Sequence, residues 1–171
     1  MPDYAAELAV LTGMRVGELA ALNESSINDL YINIDFSEHR LDHDRKHREV
    51  IIGEPKNKKH RKIPVTKDIR DLLAEIKAAC PANESGFLFV NENGERYTAA
   101  QIGCATHRRF KAIGIENGSI HRIRRTVSSM LNQVLPQKAV SNLLGHSEQV
   151  NEMVLSSILR KFNSGLNRLV V

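Results

Sequence analysis

Three short stretches of the sequence combine residue types suited to holding an anion. Arg15 lies in Thr12-Gly13-Met14-Arg15-Val16-Gly17-Glu18-Leu19, on a helical face otherwise carried by Leu8, Leu11, Leu19 and Leu22. A cation on an apolar stripe is costly unless it is paired. Glu18, three residues on, is spaced to hold the guanidinium. The same pair also reads as an internal Arg–Glu contact that only supports packing. In His121-Arg122-Ile123-Arg124-Arg125-Thr126, His121 and Arg124 share one helix face at i, i+3. Their imidazole and guanidinium can converge on one anion, together with the free N–H groups of a helix start. A basic, solvated face is the alternative. Leu143-Leu144-Gly145-His146-Ser147 sets His146 directly after a glycine that ends a helix.

The basic residues are clustered. Lys56-Asn57-Lys58-Lys59-His60-Arg61-Lys62 has five Lys/Arg in seven positions. Arg108, Arg109, Lys111, Arg122, Arg124 and Arg125 fall between His107 and Arg125 against one acid, Glu116. After Glu152 come Arg160, Lys161 and Arg168 and no acid. The net charge is only +4, so distribution matters more than total. Three basic clusters on one face would make a polyanion footprint. With no Trp and 5% aromatic residues, a duplex-backbone binder fits better than a base-stacking single-strand binder.

The elements that must position these residues follow from periodicity. Tyr4 to Leu22 reads as a helix interrupted by Thr12-Gly13. Leu30 to Phe36 alternates as a half-buried strand, and Glu49–Gly53 and Arg61–Val65 read as two more. The Lys-rich stretch would then be the turn between the last two. Thr66 caps a helix with Ile69, Leu72, Leu73 and Ile76 inside, and Asn91-Glu92-Asn93-Gly94 is a turn. Further helices run over Thr98–Ile113, His121–Leu135 (Ile123, Val127, Met130 or Leu131, and Val134 inward), and from Pro136 to Gly145. Val154, Ile158, Leu159 and Phe162 suit a last one. The fold class is α+β, mainly α-helical, with a small three-stranded antiparallel sheet. The 171 residues fit one domain. No apolar run reaches the ~18–20 residues of a membrane span. Two cysteines, Cys80 and Cys104, are too few for a disulfide framework, and no signal peptide is visible. A cytoplasmic location is the default expectation.

Taken in order, TGMRVGEL, a Lys in a basic hairpin ending in Ile-Pro, HxxR and LLGHS resemble the catalytic domain of the tyrosine recombinases, the phage integrase family. The resemblance covers residues 4–152. It implies DNA strand breakage and rejoining, for DNA integration and recombination, on double-stranded DNA. It also implies that two arginines, a lysine and two histidines surround the scissile phosphate. Carried over motif by motif, these are Arg15, Lys56, His121, Arg124 and His146, with Glu18 orienting Arg15. Lys58 and Lys59 rival Lys56. Lys58, Lys59, Arg61, Arg108, Arg109, Arg122 and Arg125 are then candidate contacts to the DNA backbone. The residue types suit the chemistry. Arginine forks neutralise non-bridging oxygens, a mobile lysine can protonate the leaving oxygen, and no metal or other cofactor is called for.

Two departures from the family pattern stand out. Arg122 occupies a place that is often Asp. Leu155 stands where the nucleophilic tyrosine is expected, and no Tyr follows Tyr97. Ser156 and Ser157 are the nearest hydroxyls, with nothing to activate them. Residues 153–171 form an atypical tail through which other recombinase protomers could be engaged. The N-terminal core-binding domain of the family is not found. The expectation is a recombinase domain that keeps its phosphate pocket but is incompetent for cleavage by itself. Other readings are a domain completed by a tyrosine from another chain, and a non-catalytic DNA-binding or regulatory module of the same fold. A metal site at His39, His43 and His47 would need a helix there, and Arg40, Arg45, Lys46 and Arg48 would repel the cation.

Overall fold

The computed structural model describes residues 1–42, 48–55, 58, 60–81 and 83–145. Helix α1 spans Pro2–Thr12 and α2 spans Val16–Ala20. The single helix expected over Tyr4–Leu22 is therefore two. Gly13 closes α1 in the left-handed region, φ 65°, with its N–H bonded to Ala9 O. Arg15 is extended and serves as the N-cap of α2. Thr12 supports the corner by donating to Leu8 O at 2.5 Å and accepting from Met14 N at 3.3 Å. Gly13 is left-handed, and a Cβ there would lie 2.6 Å from Leu144 Cδ2, so glycine suits this close corner.

The strand region is a correction to the three-stranded sheet. Among the described residues there are four strands in two antiparallel pairs. Strand β1 (Tyr31–Ile34) pairs with β4 (Arg61–Pro64), with Ile32 opposite Ile63 and Ile34 opposite Arg61. Strand β2 (Ser37–Asp42) pairs with β3 (Arg48–Gly53). The Lys-rich stretch thus joins strands of different pairs and is not the turn of a hairpin. β2 escaped notice because Ser37-Glu38-His39-Arg40-Leu41-Asp42 has almost no apolar alternation. Tertiary contacts hold it instead. Glu38 accepts from Ala99 N at 3.0 Å and pairs with Arg96, and Gly17 admits β2 so closely that a Cβ would meet Glu38 O at 2.7 Å.

Helices α3 (Lys67–Ala79), α4 (Ala99–Ala112), α5 (Ile120–Val134) and α6 (Gln137–Leu144) follow. Thr66, Thr98 and Ser119 cap the first three by accepting from Ile69, Gln101 and Arg122 N. One core runs through the molecule, with Leu8, Met14, Leu19, Ile32, Ile34, Ile69, Ile76, Phe89, Ile102 and Leu144 inside. Each such side chain contributes on the order of 1.5–3 kcal/mol by burial. Ile123, Val127 and Leu131 face this core from α5, but Val134, expected inward, is 58% exposed at the helix end. No helix among the described residues is long and apolar enough to cross a membrane.

Candidate active site

Glu18 is the hub of the site. Its side chain is 1% exposed. The N-cap position of Arg15 directs the Arg15 main-chain N–H to Glu18 Oε2 at 2.7 Å, and Arg15 Nη1 reaches Oε1 at 2.9 Å. From β4, Arg61 donates Nη1 to Oε1 and Nη2 to Oε2, each at 2.7 Å. Burial alone would raise the Glu18 pKa. Hydrogen bonds and charge from Arg61, then the main chain and side chain of Arg15, outweigh it and lower the value to about 2. Glu18 is therefore ionised at any physiological pH.

Arg124 enters from α5, one turn after His121. It donates Nη1 to Gly13 O at 2.6 Å and Nη2 to Leu144 O. Arg15 donates Nη2 to Gly145 O at 3.4 Å. The two guanidiniums thus meet at the C-terminal end of α6, where carbonyl groups and the helix dipole favour cations. Burial lowers the Arg124 pKa to about 10. The charge of Arg15 adds to the fall, Glu18 opposes it, and Arg61 lowers it further. Among the described residues the cluster sets three guanidiniums against one carboxylate, a balance that favours an anion docked here.

The expected site residues sort as follows. Arg15, Glu18 and Arg124 come together, and Arg15, with a 36% exposed side chain, is the arginine that faces solvent. His121 is exposed in the first turn of α5. His146 follows Gly145 in sequence and, with Lys56 and Lys59, lies outside the described residues; so do Leu155, Ser156, Ser157 and the whole tail. Lys58, Arg108 and Arg125 are exposed. Arg109 is exposed and pairs with Asp3 at 3.3 Å, and Arg122 donates to Glu116 O at 2.9 Å. Arg61 is not on the surface with them. Its side chain is 7% exposed and both terminal nitrogens are committed to Glu18. The alternation of β4 carried that signal, since Arg61 and Ile63 are two apart and share a strand face.

His39 lies on β2, with Nε2 2.6 Å from Glu54 O. Among the described residues no group of three His, Cys, Asp or Glu side chains could hold a metal. His43 and His47 lie outside them.

The model of the phage integrase family matches residues 2–152. Tyrosine recombinase XerC of Corynebacterium glutamicum is 28% identical over 166 residues, covering 91% of this chain and 46% of the relative. A XerC-like tyrosine recombinase of Caldanaerobacter subterraneus is 28% identical, covering 82% of this chain and 41% of the relative. The chain spans about half the length of the curated relatives it matches. Among solved structures, the Tn1549 transposon integrase superposes with TM-score 0.71 at 20% identity, covering 96% of this chain and 57% of that one. The λ integrase catalytic core superposes with TM-score 0.60 at 21% identity, covering 85% and 83%.

Proposed function

The chain belongs to the phage integrase family, the tyrosine recombinases, and from that membership we propose that it grips the backbone of duplex DNA and holds one phosphodiester against Arg15, Arg124 and His121. The observation that carries this reading is the meeting of Arg15 and Arg124 at the end of α6, with the Arg15 side chain 36% exposed. The chain supplies the charge and proton groups and lacks the nucleophile: were a tyrosine hydroxyl of another chain to attack the phosphorus and break the bond to the 5′-oxygen, the arginine forks would stabilise charge on the non-bridging oxygens. Lys56, or its rivals Lys58 and Lys59, would protonate the leaving 5′-oxygen, and His121 and His146 would serve the proton traffic. Lys58, Arg108 and Arg125 hold flanking phosphates.

The Tn1549 and λ integrases, solved with a circular intermediate DNA and as a tetramer on a Holliday junction, support duplex DNA as substrate and other recombinase protomers as partners. The segment after α6 is the proposed contact to those protomers. The 171 residues form one catalytic domain in this reading, and a cytoplasmic location accords with a DNA substrate.

A second reading, a DNA-binding or regulatory module that does not cleave, is favoured by the tyrosines. Tyr4 lies in α1, Tyr31 in β1 and Tyr97 just before α4; none follows α6 in sequence. A nicked suicide duplex separates the two. An adduct that forms only when a tyrosine-bearing recombinase is added supports a catalytic pocket completed by another chain, and retardation of the duplex with no adduct in either case supports the module. No retardation by the chain, at low salt, defeats both.

A further inference from the structure

We propose that Arg61 is a positioning residue, which fixes the direction of the Arg15 guanidinium through the carboxylate they share on Glu18. This rests on the reading of the cluster as a phosphate site. A carboxylate three residues from Arg15 can form the Arg15–Glu18 pair unaided, and it neutralises one guanidinium. Arg61 is therefore not needed to balance charge. It adds a third cation to a buried site, where uncompensated charge is costly. What Arg61 does supply is geometry.

Its two terminal nitrogens engage both oxygens of Glu18 at 2.7 Å, the fork-to-fork arrangement that fixes the plane of a carboxylate. Arg61 is itself immobilised. Its residue lies opposite Ile34 in the β1–β4 pair, and its side chain packs on Gly145 so closely that a Cβ there would meet Nη1 at 2.9 Å and Cδ at 3.2 Å. With Glu18 held in this plane, its Oε1 fixes Arg15 Nη1 at 2.9 Å. Of the two arginines on Glu18, Arg15 keeps a 36% exposed side chain and Arg61 a 7% exposed one. One is placed to meet a ligand, and the other to aim it.

The test is a double-mutant cycle on the 171-residue chain, with binding of a short labelled duplex of arbitrary sequence measured at low salt. Arg61→Lys keeps the charge but cannot make two parallel bonds to one carboxylate. With Arg15 present, this substitution is expected to weaken binding about 5-fold, and in the Arg15→Ala background less than about 2-fold. Denaturant unfolding and circular dichroism verify that each variant is folded. Equal losses in both backgrounds, or no loss from Arg61→Lys, overturn the proposal while leaving the phosphate reading intact. If Arg15→Ala itself leaves duplex binding unchanged, the phosphate reading fails and the proposal fails with it.

Should Arg61→Lys not fold, the arginine Nε–H resonances of the native chain decide. Saturating duplex is expected to move the Arg15 signal and leave the Arg61 signal in place. Displacement of both by the same extent means Arg61 meets the ligand directly, and overturns the positioning role.

Discussion

Arg15 and Arg124 donate to neighbouring carbonyls, those of Gly145 and Leu144, although the first bond spans 130 residues and the second 20. Their meeting place is the end of α6, and Glu18 and Arg61 hold one of the two from behind.

Glu18 makes the fold sensitive to acid. Its folded pKa of about 2 lies below the ordinary 4.5, so its contribution to stability is complete above about pH 4.5 and is lost as pH falls towards 2. The shift corresponds to on the order of 3 kcal/mol. Urea unfolding across this pH range should show the loss in the native chain. Glu18→Gln should lack that portion of the acid slope and be less stable at pH 7 by about 3–5 kcal/mol, because Arg61 stays buried without its anion.

Arg124→Gln should separate stability from binding. The depressed pKa of Arg124 marks a penalty on its charge of roughly 3 kcal/mol. Its two bonds to Gly13 O and Leu144 O are each worth roughly 1.5–3 kcal/mol. The penalty offsets much of what these bonds contribute, so stability should fall by no more than about 3 kcal/mol, while duplex affinity falls by about 10-fold or more as a charged fork is removed. Unfolding curves and fluorescence anisotropy measure the two quantities. Unchanged duplex affinity in a folded Arg124→Gln variant would argue that Arg124 serves the fold alone.

Exposed cations should set the salt dependence. Replacing Arg108 or Arg125 by Ala should each reduce the slope of log affinity against log salt by about 0.9, and Lys58→Ala likewise. Arg109→Ala should have a smaller effect, since Arg109 already faces Asp3. Anisotropy titrations at several salt concentrations read the slopes. A slope unaffected by all three substitutions would place the DNA on another face.

Gly145 is confined twice, by a φ of 81° and by the contact with Arg61. Gly145→Ala should therefore cost more than the ~1 kcal/mol of a left-handed residue alone. It should also weaken duplex binding by displacing Arg61. Gly103→Ala is the control, because a Cβ there meets nothing within 4 Å and the residue lies inside α4, where it should stabilise.

The 171-residue chain by itself should form no covalent bond with nicked duplex DNA. Leu155 occupies the matching position and has no nucleophilic atom, and in-line displacement tolerates little misplacement. Denaturing electrophoresis with labelled DNA reads the outcome. A labelled band of protein mass that survives boiling in detergent would point to Ser156, Ser157 or another hydroxyl.

The helices were legible because their caps are local. Thr66, Thr98 and Ser119 each bond within three residues, and Gly145 ends α6 as expected. The corner at Gly13 is legible as an interruption through Thr12-Gly13, but not as two helices, because the apolar spacing of Leu8, Leu11, Leu19 and Leu22 runs on across it. β2 was illegible because its polar sequence is held by Arg96, Ala99 and Gly17. Within the candidate site, the motifs point to Arg15, Glu18 and Arg124, which the fold brings together. Arg61 was grouped with its charged neighbours, since composition conceals what strand alternation separates.

The bonds that close the site also set when it can exist. Arg124 reaches Gly13 across 111 residues, and Arg15 reaches Gly145 across 130. Contacts of such sequence separation carry a large loop-closure entropy and form late in folding. During synthesis, the segment bearing Arg15 and Glu18 leaves the ribosome long before α5 and α6 are made. A nascent chain therefore has loose cations but no assembled anion trap. The cluster closes only when α1, α5 and α6 have met, and a polypeptide halted before α6 cannot assemble it.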